Sequence, residues 1–171
     1  GRREAILAVP LAAMRRAGLV PEVDPERRWA RARRGDVELE VGFRTGFRIF
    51  GVFVDTVWTG RRQGAGEGAV DLDYRFGWRR PGRFVARSGG DDALALAERL
   101  NRDAEVGRLV GRAEVGEVTV RERRGERRVQ LRPMAGTITA LYVPPLPPYT
   151  VPLRAGEADA QLALVLRLLS A

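Results

Sequence analysis

Residues 36–43 place Val37, Leu39, Val41 and Phe43 at every second position, against Asp36, Glu38, Glu40 and Gly42. A side-chain period of two fits an extended strand with one dry and one wet face, and it fits no helix. The pattern returns over 69–79, with Val70, Leu72, Tyr74, Phe76 and Trp78 on one side and Asp71, Asp73, Arg75, Gly77 and Arg79 on the other. Half-wet strands belong to antiparallel sheets, and the dry face needs a second layer to cover it. The chain is therefore expected to be α+β, with antiparallel sheet packed against helices on one face.

The helices are legible from their own period. Ile6, Leu7, Leu11 and Met14 share one helical face within 4–17, with Gly18 as a stop and Pro10 marking a kink or the true first turn. Asp91 is a suitable N-cap for a helix running to about residue 110, lined by Ala93, Leu96, Leu100 and Ala104. A last helix over 157–171 carries Glu157 and Asp159 early and Arg167 late, as the helix dipole favours. Its broad apolar face, Leu162, Val165, Leu166 and Leu169, predicts that it is docked.

Between the helices lie further strands: 27–34, 47–58 and 82–88, then 117–123, 126–133 and 137–143, with Tyr149–Leu153 as a fourth. Residues 47–58 are apolar on both faces, which predicts a central strand, and Gly51 marks a bulge or the close approach of another backbone. The expected element order is α-β4(+1)-α-β4-α. An echo accompanies it: Arg31–Val41 and Arg121–Leu131 both read Arg-x-Arg-Arg-Gly-acid before an alternating strand, 90 residues apart. Gly46 meets Gly136 at the same offset. This suggests one domain over 1–171, with possible pseudo-repeats 1–90 and 91–171 from an internal duplication. The element order is similar to the duplicated saddle of TATA-binding-protein-like folds and, with extra strands, to the type III secretion chaperone-like fold.

Composition removes much chemistry. Of 171 residues none is cysteine or histidine, and all 30 basic residues are arginine. Thiolate and imidazole catalysis, the commonest metal ligands and Schiff-base lysine are all excluded. The lack of cysteine fits a reducing compartment, so a cytoplasmic location is expected. No apolar run approaches the ~20 residues of a membrane helix. The N-terminal segment loosely resembles a signal peptide, but its short apolar part, interrupted by Pro10, reads as a folded helix.

Net charge is +8 and unevenly placed: residues 1–90 hold 18 arginines against 11 acids, residues 91–171 hold 12 against 11. A basic half raises the prospect of an anionic partner. Arg28, Arg31, Arg33 and Arg34 in one cluster, with Arg75 and Arg79 in another, are the candidate anion or nucleic-acid contacts. Phe76 and Trp78 continue the dry face of their strand and are expected in the core, which would leave those arginines without stacking partners.

Other candidates have plainer readings. The glycine-rich loop 60–68 lacks the Lys-Ser/Thr of a phosphate loop and precedes a strand, so a hairpin tip is expected. Asp71 and Asp73 could share a cation, but read as the wet face of a strand beside Arg75. The proline stretch 142–152 holds Pro-x-x-Pro spacings at Pro144–Pro147 and Pro145–Pro148, yet it is bracketed by a strand and a helix and reads as structural. No cofactor, metal or catalytic residue is expected. The leading expectation is a non-enzymatic binding or assembly module for a protein partner or a second copy. A nucleic-acid-binding domain is the alternative, and a small enzyme built on carboxylates or arginines comes third.

Overall fold

The computed structural model describes residues 1–142 and 145–171. Among the described residues, four helices and an antiparallel sheet of ten strands make an α+β fold. The helices are α1 (Arg2–Arg16), α2 (Gly90–Arg102), α3 (Ala104–Ala113) and α4 (Ala155–Ser170). The strands before α2 are β1 (Glu22–Val23), β2 (Trp29–Arg34), β3 (Val37–Arg48), β4 (Gly51–Gln63), β5 (Val70–Arg75) and β6 (Arg83–Ser88). Those after α3 are β7 (Val115–Arg123), β8 (Glu126–Pro133), β9 (Thr137–Tyr142) and β10 (Pro145–Val151).

Alternation builds the core as expected. Ala30, Ala32, Leu39, Val41, Trp58, Leu72, Val120, Val129 and Leu131 are all buried, and α1, α2 and α4 lie against the strands that carry them. Gly60 shares this face: a Cβ there would come within 2.7 Å of Val165 and Leu169 on α4. α4 is wrapped by α1, α3 and the sheet, so Leu162, Leu164, Val165, Leu168 and Leu169 are all buried. Each such side chain stabilises the fold by roughly 1.5–3 kcal/mol relative to exposure.

Two buried polar links tie α4 down. The Trp58 indole donates to Gln161 Oε1 at 2.9 Å, and Gln161 Nε2 donates to the Ala113 carbonyl at 3.1 Å. Buried Arg127 donates to the Leu168 carbonyl at 3.0 Å and to Ala171, satisfying the open end of α4, while its Nε reaches Glu122 at 2.6 Å.

The sheet runs β1-β2-β3-β4-β8-β7-β5-β6. The expected strand over 47–58 is divided: Phe47 and Arg48 end β3, Ile49 and Phe50 make the turn, and β4 begins at Gly51. β4 itself is central. One edge pairs along β3; the other pairs first with β9 and then with β8. Gly51 marks a close approach, since a Cβ there would collide with the Ala140 carbonyl of β9. Strands from 1–90 flank those from 91–171 on both sides, so the two segments interleave and do not stand side by side.

The echoed hairpins differ in register as well. Ala30 faces Val41, but 90 residues on Val120 faces Val129, and the counterpart of Val41, Leu131, faces Val118. The echo is one of sequence, not of pairing.

Several expectations are corrected. Pro10 sits inside α1, and the helix begins at Arg2, so it marks no first turn. The long second helix breaks at Asp103, whose side chain accepts from the Glu105 and Val106 amides and caps α3. Gly89, with φ at 112°, is the N-cap of α2, and Asp91 lies in its first turn. A two-residue strand, β1, adds a sixth strand before α2. The glycine-rich stretch is not a hairpin tip: β4 extends to Gln63, and the chain then crosses the β7–β8 turn, where the Ala65 amide bonds the Gly125 carbonyl at 2.9 Å.

The proline stretch is a strand at the sheet edge. β10 starts before the expected Tyr149 and ends at Val151, short of Pro152 and Leu153. Among the described residues it pairs only with β9, and its register shifts between Leu146 and Tyr149, where Pro147 and Pro148 sit. Proline has no N–H for a ladder, so bulges and edges are where it fits. Pro144, of the first Pro-x-x-Pro pair, and Val143, the end of the expected third strand, lie outside the described residues. Among the described residues no helix is long and apolar enough to cross a membrane.

Candidate functional site

The face of the sheet away from the helices is uncovered, and it is where the polar half of each alternating strand emerges. Strand register decides what meets there. Arg31 stands opposite Glu40, and Arg33 opposite Glu38, whose other neighbour is Arg61. Arg31 Nη2 reaches Glu40 at 2.6 Å, Arg33 reaches Glu38 at 2.7 Å and Arg61 reaches it at 3.4 Å. Across the face Arg132 lies 3.5 Å from Asp55 and 3.3 Å from Glu117, Arg121 3.4 Å from Asp71, and Arg87 2.9 Å from Asp73. The surface is a set of cross-strand ion pairs, largely neutralised from within.

Four of the six candidate arginines are engaged by their own fold. The hydrogen bond to Glu40 raises the pKa of Arg31, and its guanidinium also stacks over Trp29, 4.9 Å from the ring centre. Arg28 is raised by its hydrogen bond to Asp24, 3.0 Å away, and that bond holds the Asp24 carboxyl below its usual range. Arg33 belongs to the Glu38 pair. Arg34 turns to the helix side and donates to the Ala17 carbonyl, closing the C-terminal end of α1. Asp71 and Asp73 are each committed to an arginine, Arg121 and Arg87 respectively.

Arg75 and Arg79 are different. They belong to the connection between β5 and β6, which reads Arg-Phe-Gly-Trp-Arg-Arg-Pro-Gly-Arg over 75–83. The period-two pattern predicted a strand through Trp78 with both aromatics in the core. Instead β5 ends at Arg75; Trp78 is 97% exposed and Phe76 54%. The cause is local: Gly77 packs so closely against the Arg80 carbonyl that a Cβ would collide, and the chain turns before Trp78 can continue the strand.

Tyr74 anchors the turn. Phe76 and Phe84 meet its ring edge-on, each at 5.2 Å between centres. Burial raises the Tyr74 pKa. Arg75, Arg79, Arg80 and Arg83 are exposed, and among the described residues none of the four bridges a carboxylate.

A second surface went unread in the sequence. β3 and β4 outrun the helical layer, and β9 and β10 extend beside them as a four-stranded arm. On the helix side Val54 is buried, but Phe47, in the next row outward, is 79% exposed. At the turn Ile49 is 90% exposed, and Phe50, Tyr142, Leu146, Tyr149 and Val151 are also open. On the other face Phe53, Thr139 and Tyr149 form one row, with Arg48 over the Phe53 ring at 5.0 Å. The available signal was charge: between Arg132 and Arg154 the chain has no charged residue, although 30% of its residues are charged.

No curated protein and no solved structure matches this chain. A family model does, across residues 12–171, which include both surfaces. The chain belongs to the family described as Protein of unknown function (DUF3156).

Proposed function

We propose that this protein is a non-enzymatic binding or assembly module, and that the arm of β3, β4, β9 and β10 engages a protein partner, the first candidate being a second copy of the chain. The observation that carries the reading is the run of exposed large apolar side chains, Phe47, Ile49, Phe50, Tyr142, Leu146, Tyr149 and Val151, at one end of the sheet. These side chains cluster at the tip and on both faces of the arm, and a concentration of exposed large apolar groups marks interaction sites in proteins. The β9–β10 half of the arm carries no charged residue, and the β3–β4 half adds only Arg44, Arg48 and Asp55, with Arg48 held over the Phe53 ring, so apolar contact dominates a two-fold interface despite the net charge of +8.

Docking by the faces and tip fits better than strand addition. Three of the seven residues of β10 are proline, which removes ladder donors from that edge. The β6 edge is closed differently: the Phe84 amide donates to Asn101 Oδ1 at 2.7 Å and Asn101 Nδ2 donates to the Phe84 carbonyl at 2.9 Å, so α2 occupies that edge.

Sedimentation velocity over a concentration series tests the reading. A dimer that Ile49→Asp converts to monomer supports it. A wild-type monomer at every concentration, together with no adduct from a photo-crosslinker placed at Tyr149 in expressing cells, contradicts it.

A further inference from the structure

We infer that the β5–β6 turn is a second, independent binding site, and that its ligand is single-stranded nucleic acid. Its parts are those such a ligand needs. Bases offer flat π-faces that stack on aromatic rings whatever their sequence, and phosphates pair with guanidinium groups. Trp78 stands 97% exposed at the turn, Phe76 is half open on its Tyr74 support, and Arg75, Arg79, Arg80 and Arg83 surround them without carboxylate partners among the described residues. The close packing of Gly77 fixes the backbone that presents Trp78, and Tyr74 supports Phe76, so the turn is shaped before the ligand arrives while the indole remains free to settle on a base.

Among the described residues β5 and β7 pair only between Val70–Asp73 and Thr119–Glu122. Beyond Asp73 they part, and the groove between them is lined by Arg75, Phe76 and Glu117, and by Arg87 and Arg121, which are already bridged to Asp73 and Asp71. The free cations here are those of the turn itself, so a short single strand stacks on the turn and sets its phosphates on Arg75, Arg79, Arg80 and Arg83. Duplex DNA hides its bases from the platform. An anionic bilayer would use the same cations, but one tryptophan and a half-exposed phenylalanine are a small apolar anchor, and stable attachment needs a second signal.

The test is fluorescence anisotropy of a labelled oligothymidylate against the full chain, with phosphatidylserine vesicles and a duplex of equal length in parallel. The expected result is binding whose log–log salt slope is about −3, from four phosphate contacts at ~0.7 each. Trp78→Ala is expected to weaken binding about fivefold or more, the loss of one stacked base, and to remove quenching of the tryptophan emission. Its exposure makes the fold indifferent to the change, and circular dichroism checks that. Arg79→Glu with Arg80→Glu should abolish binding. Three results would overturn the inference: no binding at low salt, a Trp78→Ala variant that binds as tightly as wild type, or vesicle binding without oligonucleotide binding. Duplex bound as tightly as single strand would also overturn it.

Discussion

Two ends of one sheet are left open, and they are opposite in chemistry. At the arm, strands outrun the helices and expose Phe47, Ile49, Phe50, Tyr149 and Val151, with no charge on β9 and β10 and few charges, Arg44, Arg48 and Asp55, on the β3–β4 half. At the β5–β6 turn the same departure from the helical layer exposes Trp78 among four arginines. Both break the rule that the dry side of a strand is covered. What surrounds the break decides the partner: uncharged neighbours suit an apolar protein surface, free guanidinium groups suit an anion. Between the two ends Arg31, Arg33, Arg61, Arg87, Arg121 and Arg132 of the open face are paired with acids, while Arg44 and Arg128 on the same face have no such bridge among the described residues. Arginine content therefore predicts little by itself; arginine without a carboxylate neighbour is the informative case.

The comparison can be broken from below. Leu168 is fully buried where α4 meets the rest of the core, and Leu168→Ala should cost about 2–5 kcal/mol. Thermal denaturation should show both ends melting with the core in one transition. Separate transitions would mean that the arm folds on its own.

A narrower break removes one end. Gly51→Ala drives a methyl group into the Ala140 carbonyl and should part β4 from β9. Loss of self-association with oligothymidylate binding unchanged is expected; loss of both would tie the two surfaces together.

The face between the ends supplies a smaller effect. Arg31→Met removes an exposed pair with Glu40 and should cost about 0–1 kcal/mol, leaving oligothymidylate affinity within twofold. A large fall in affinity would return the nucleic-acid site to the N-terminal cluster.

The smallest expected effect is that of pH. Hydrogen bonds to the N-terminus and to Arg108, respectively, hold Glu4 and Glu105 low. Burial raises Asp103, but the bonds from Arg167 and the Val106 amide outweigh it and leave it low. A carboxyl whose folded pKa is depressed contributes stability above its unfolded value, and that contribution is lost as pH falls through the folded value. With no histidine in the chain, the melting temperature should be flat between about pH 5 and 8 and fall below about pH 4. At the alkaline end Tyr74, raised by burial, favours the fold below its ordinary pKa of about 10 and loses that contribution as pH rises past it.

Much of the layer structure was legible because alternation is a direct consequence of strand geometry. Leu39, Val41 and Leu72 could be assigned to a dry face without knowing their neighbours. The ion pairs of the open face were not legible: Gly35 signals a reversal, but the same Arg-Arg-Gly-acid turn pairs in another register at Gly125, so local sequence does not dictate that Arg33 meets Glu38 and Arg31 meets Glu40. The helix break at Asp103 was also hard to read, since Leu96, Leu100, Val106 and Leu109 keep nearly helical spacing across it. Trp78 failed for a different reason. It continues the period-two pattern, but β5 ends at Arg75 and the chain turns at Gly77, and a pattern of side chains does not report where the backbone stops. The arm was hidden because exposure depends on how far the helices reach, which no local pattern encodes.

One measurement bears on the whole account: dual-wavelength sedimentation velocity of the full chain with a labelled oligothymidylate across a tenfold range of salt. Binding at two chemically distinct ends predicts that oligonucleotide leaves steeply as salt rises while the protein dimer persists. Dimer and oligonucleotide complex dissociating together, with the same salt dependence, would show a single electrostatic surface and contradict it.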